Sequence, residues 1–247
     1  KKFRLFVNSW DKAKRKITIY FLKFFHYLVL TIYSYFYIYN KLEFFPKEMG
    51  GNGELQKLYY KGLKSFAFFE SPYGFDIYYL LNLAYTYADL ICVLFIYDGQ
   101  TDFFVMLFHH LCTICCIYCS LYFQYASVGS LILFLHNASD IVVYLSRTML
   151  YIKIPAIFLK IQGPVLLFTF IYFRQYVLGK IIYGVIFDLT WETYGLNNIF
   201  IVFLICLYIL HLDWSFKLIK LAYKAIFKNT YSDSREFTED KKTKKIN

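Results

Sequence analysis

HHLCTICCIYCSLYFQYASVGSLILFLHNASDIVVYLSR, residues 109–147, decides the reading of this chain. Two apolar runs flank a short polar break at Gln124. One run carries His109 and His110, and the other carries His136, Asn137, Ser139 and Asp140. Each run has the length of a membrane-crossing helix. Polar and ionisable groups inside such spans are costly and mark candidate functional sites.

The pattern extends in both directions. The 247 residues are 59% hydrophobic, 23% aromatic and only 18% charged, whereas a soluble domain is about a quarter charged. The apolar residues gather into six runs, at about 17–39, 76–97, 103–123, 126–146, 154–175 and 196–215. The expected fold class is therefore an all-α integral membrane bundle of six helices over 17–225. A basic segment, 1–16, precedes it as an interfacial helix, and a basic tail, 226–247, follows. Residues 40–75 form a loop with an amphipathic segment near 55–69, and residues 176–195 form a second loop. Gly163-Pro164 should kink the fifth span. Lys23 and His26 lie one turn apart on the first span, with Lys23 snorkelling to the interface.

The net charge of +10 sits mainly at the two ends, where it flanks spans as a topology signal and does not point to nucleic acid. Six spans place both termini and the Arg147/Lys153 boundary on one side, expected to be cytoplasmic. The six Cys lie within apolar runs and read as small packing residues. The chain begins at Lys1, so an upstream piece is expected to be missing or removed. The ending K-K-I-N resembles a dilysine retrieval signal if Asn247 is the terminus, which points to the endoplasmic reticulum. A removed targeting segment would instead fit a mitochondrial inner membrane complex.

Depth brings the polar groups together. His109 and His110 lie roughly 10–12 Å inside the third span from its start near Asp102, and Asp140 lies roughly 10 Å inside the fourth from its end near Arg147. His136 is one turn deeper. Antiparallel neighbours thus bring His109, His110, His136 and Asp140 to one level. His136 and Asp140 are i and i+4 on one helix face, so Asp140 can orient the imidazole or hold it charged. A His in an apolar site can act as base or nucleophile. The bland counterpart is a buried hydrogen-bond network tying two helices. A metal site from these four residues has suitable ligand types, but His109 and His110 point about 100° apart on a helix. No metal is expected.

The stretch resembles the core motif of the TLC-domain membrane proteins, and within them the ceramide synthases. That motif has a His-His pair, an apolar span with a Gly, and then H-D-x-S-D followed by a Glu and a Lys. The counterparts are His109-His110, Gly129 and H-N-A-S-D at 136–140. T-D-F-F-V-M-L-F before the His pair, Y-Y-L-L-N-L-A-Y (78–85), Phe173-Arg174 and L-H-L-D-W-S-F-K-L-I-K (210–220) are similar too. The resemblance implies a six-helix TLC-type bundle and an N-acyltransferase that joins a fatty acyl-CoA to a sphingoid base amine, giving (dihydro)ceramide. By position His109 becomes the acyl-accepting nucleophile. His110, His136 and Asp140 support proton transfer and imidazole orientation. Asn137, Ser139, Arg147, Arg174, His211 and Trp214 are supporting or substrate-binding residues. Acyl-CoA is a co-substrate, and no cofactor is expected. Membrane lipids are expected partners, with a homodimer or larger membrane complex as the assembly. The 176–195 loop matches the region that tunes chain length in the family. Asn137 replaces the first Asp of the motif, Tyr144 replaces its Glu and Arg147 its Lys. These departures keep a second reading open, a non-catalytic TLC protein serving as a lipid-binding or structural subunit of a larger assembly.

Overall fold

The computed structural model describes residues 2–38, 47, 74–95, 102–123, 125–152, 154–189 and 197–228. Six helices among them are long and apolar enough to cross a membrane, and the chain is an all-α membrane bundle. α1 is Lys2–Tyr33, α2 Phe75–Phe95, α3 Phe103–Tyr122 and α4 Ala126–Ile152. α5 starts at Ala156–Ile171 and continues through Tyr172–Val177, Leu178–Gly184 and Val185–Leu189. α6 is Asn197–Lys228.

Several boundaries differ from expectation. The basic segment and the first span form one uninterrupted helix, α1. The stretch from 176 to 189 is not loop but helix, because Ile181, Ile182 and Val185 supply a buried apolar face. α6 likewise runs on past residue 215, with Leu218, Leu221 and Ala222 against a cavity wall beside α5. The amphipathic segment near 55–69, Trp191, Glu192 and the tail from 229 lie outside the described residues.

α4 sits at the centre. Ser127, Gly129, Ser130 and Ser139 are buried on it, and small residues let neighbouring backbones approach closely. At Gly129 a Cβ would strike the Tyr79 hydroxyl of α2 and lie 2.8 Å from Ser120 of α3, so only glycine fits this three-helix meeting. The α3–α4 link is tight, with the Tyr125 amide donating to the Ser120 carbonyl at 2.6 Å. α1 packs antiparallel along α4, with Tyr27 stacked on Tyr144 at 5.4 Å and Tyr20 set against Tyr151 at 5.6 Å. The apolar faces left outward, such as Phe104, Ile157, Phe168 and Phe216, suit contact with lipid tails. Lys16, Arg147, Lys217, Lys220 and Lys224 gather at one end of the bundle, called here the basic end.

Candidate functional site

Arg174 is the hub. It sits in the wider π-type turn of α5, a local geometry often found at functional sites. Its side chain is 3% exposed. Nε donates to Ser139 Oγ at 2.7 Å, and one terminal nitrogen donates to Asp140 Oδ1 at 2.6 Å. The other terminal nitrogen donates to His211 Nε2 at 3.3 Å. The guanidinium also lies over the Phe170 ring, 5.1 Å from its centroid. A planar fork of donors suits such multiple recognition. Asp140 is therefore held by Arg174, and this corrects the expectation that it orients His136. The His136 imidazole turns back on its own helix, with Nδ1 2.7 Å from the Ile132 carbonyl oxygen.

These contacts fix two tautomers. The Ile132 carbonyl only accepts, so His136 carries its proton on Nδ1 and a lone pair on Nε2. Arg174 only donates, so His211 accepts on Nε2 and carries its proton on Nδ1. Neither His136 Nε2 nor His211 Nδ1 meets a hydrogen-bond partner among the described residues. The two rings lie side by side, 4.9 Å between centroids. His109 joins them from α3, 5.9 Å from His211 and 4.9 Å from the Trp214 ring. Three imidazoles thus converge, one offering a base and another an N–H donor.

Two cavities meet at His109, while the fully buried His211 lines neither. The inner one is about 80 Å³ and reaches Asn82, Ile132, His136 and Asn137. The outer one is about 450 Å³ and opens between Arg147, Trp214, Lys217, Lys220 and Lys224 at the basic end. Tyr27, Asp89, His109, His110 and Asp140 line both. The depth argument thus brought the His pair and Asp140 together correctly, with His136 opening on the inner cavity alone.

Asn137 is buried with its amide already engaged. Nδ2 donates to the Tyr78 hydroxyl at 2.9 Å and to Asn82 Oδ1 at 3.0 Å, while Asn82 donates to the Tyr78 carbonyl at 2.8 Å. Arg147 lies over the Tyr20 and Tyr144 rings, at 5.5 and 5.7 Å. His110 diverges from His109, as adjacent helical residues do, and its Nε2 lies 3.6 Å from Asp89 of α2. Among the described residues no three His, Cys, Asp or Glu side chains converge as metal ligands would.

Sequence reasoning missed Asp89 and Lys23. Lys23 does not snorkel. It forms an ion pair with Asp89, the two side chains only 11% and 5% exposed. The signal was present, since opposite charges in successive apolar spans at matched depth should pair.

The fold and the site define a six-helix membrane bundle that holds a buried His cluster beside a cavity open at the basic end. The TLC domain model matches residues 16–220, and the chain belongs to the TLC-domain family. It is similar to sphingosine N-acyltransferase lag1 of Schizosaccharomyces pombe, 28% identical over 255 aligned positions that cover 96% of this chain and 62% of that protein. It is also similar to ceramide synthase LAG1 of Saccharomyces cerevisiae, 27% identical over 67% of this chain and 43% of that protein. Ceramide synthase hyl-2 of Caenorhabditis elegans is 30% identical over 70% of this chain and 56% of that protein. The chain spans about half the length of the curated relatives it matches.

Proposed function

We propose that the protein is a ceramide synthase-type N-acyltransferase that uses a fatty acyl-CoA and a sphingoid base. The observation that carries this reading is His109 where the inner and outer cavities meet, with His136 opening on the inner one and the buried His211 ring against both imidazoles. The His109 imidazole attacks the thioester carbonyl, forming a nitrogen–acyl bond as the carbon–sulfur bond breaks and CoA leaves as thiolate. This leaves an N-acyl-imidazolium whose other ring nitrogen keeps its proton, and the amine of the sphingoid base attacks it, returning His109 neutral. The amine nitrogen–carbon bond forms, the bond to His109 breaks, and the surplus amine proton passes to the lone pair on His136 Nε2. His211, fully buried and lining neither cavity, packs its ring against His109 and His136 and so limits their orientations. Lys217, Lys220, Lys224 and Arg147 at the mouth suit the phosphates of CoA, which favours a cytoplasmic basic end.

One observation favours the second reading, a non-catalytic lipid-binding or structural subunit. Asn137 is tied into a Tyr78–Asn82 network and brings no carboxylate. Purified protein given acyl-CoA and sphinganine discriminates the two. Amide product that disappears in His109→Ala supports acyl transfer. No product at any chain length, together with stoichiometric co-purification in a complex indifferent to His109→Ala, supports the subunit.

A further inference from the structure

The Lys23–Asp89 pair is not absorbed by the chemistry above. It lies inside the bundle where α1, α2 and α3 meet, and Asp89 faces both cavities. Oδ1 takes the Lys23 ammonium, and Oδ2 faces His110 Nε2 at 3.6 Å, beyond hydrogen-bond distance but close enough to act through its charge. Holding two charges among apolar spans is costly, and a buried ion pair seldom stabilises a fold more than apolar residues of the same volume would. The pair therefore calls for a use beyond packing. The negative charge facing Nε2 favours the neutral His110 tautomer with its proton on that nitrogen. A carboxylate so placed biases both the tautomer and the ring orientation. The other carboxylate facing the inner cavity, Asp140, is claimed by Arg174, and Asn137 is an amide. Lys23 balances the charge, so that the pair is neutral as a unit within the bilayer.

We propose that Asp89, paired with Lys23, is the positioning carboxylate for His110, supplied to the His109–His110 site from a neighbouring helix. This rests on the acyl-transfer reading for its kinetic consequence and on geometry alone for its tautomer. Asp89→Asn by itself strands the Lys23 charge and risks misfolding. The test is therefore Lys23→Met/Asp89→Asn, which removes both charges together. The purified double variant should match the wild type in melting and monodispersity. Its kcat for acyl transfer should fall by about ten- to hundredfold, the size of effect that outer partners of a functional imidazole carry, while KM for acyl-CoA stays within about twofold by the same reasoning, since substrate contacts remain. Histidine-selective ¹⁵N NMR, assigned with His110→Gln, should show His110 protonated on Nε2 in the wild type and as mixed tautomers in the double variant. A folded double variant with wild-type kcat, or an unchanged His110 tautomer, overturns the proposal. Wild-type protein without acyl transfer would overturn the acyl-transfer reading, and the tautomer comparison would still decide the role of Asp89.

Discussion

Replacing Arg174 by Met should unfasten the site more than any other single change. Methionine fills much of the arginine volume, so the effect comes from lost polar contacts and not from a cavity. Four partners are released together: Asp140 at 2.6 Å, Ser139 at 2.7 Å, His211 at 3.3 Å and the His136 carbonyl at 3.4 Å. Ser139 keeps its bond to the His136 carbonyl at 3.0 Å, so its loss is small. Asp140 loses its cation, and stranding one member of a buried pair costs about 3–5 kcal/mol. The Asp140 side chain is 19% exposed and borders the outer cavity, so water relieves part of that penalty and about 3 kcal/mol is expected. This agrees with the ~2.5–3.5 kcal/mol assigned to a charge at the centre of a spanning helix. Detergent-denaturant titration of the purified protein, followed by helical circular dichroism, measures the change. Arg174→Met/Asp140→Leu should recover at least half of it, because no charge is left behind. A loss below about 1 kcal/mol in Arg174→Met, the scale of an exposed pair, or no recovery in the double variant, would refute the assignment of Arg174 as the hub.

Other expectations concern individual positions. His136→Ala should leave melting close to wild type and lower acyl-transfer kcat by about 10²–10⁴-fold, as loss of a general base does; steady-state kinetics decide this. Gly129→Ala should destabilise by about 1–3 kcal/mol through overpacking against Tyr79 and Ser120, read in the same denaturant titration. Asn137→Asp should destabilise by about 1–3 kcal/mol, since a carboxylate oxygen would replace the Nδ2 donor facing Asn82 Oδ1; a thermal melt equal to wild type would contradict this. Lys217→Gln/Lys220→Gln/Lys224→Gln should raise KM for acyl-CoA with little change in kcat and weaken its salt dependence, so a KM unchanged from low to high salt would count against the basic mouth.

The bundle was legible because apolar runs of spanning length are the strongest pattern a chain can carry. The level of the His pair and Asp140 followed from helix rise and topology. Which groups bond to which did not follow. His136 and Asp140 share a face, but Arg174 on α5 outcompetes an imidazole for the carboxylate through charge and forked geometry. His136 then settles on the Ile132 carbonyl. The helical course of residues 176–189 was hidden because Lys180 and Asp188 interrupt the apolar run. Buried Ile181, Ile182 and Val185 nonetheless hold it in the bundle. Lys23 and Asp89 were each visible alone. Applying to the first two spans the depth comparison used for the third and fourth would have paired them, each roughly 9–12 Å inside its span. Asn137 stood out as a missing carboxylate, but its bonds to Tyr78 and Asn82 were not visible in the chain.

The most direct measurement of the proposed chemistry is a half-reaction. Purified protein mixed with acyl-CoA and no amine should release CoA thiol in a single burst, and peptide mass spectrometry should find the acyl group on His109. Adding sphinganine should then discharge it as amide, and His109→Ala should show neither step. Amide product formed without a burst and with unmodified His109, or a burst that persists in His109→Ala, would contradict His109 as the acyl acceptor.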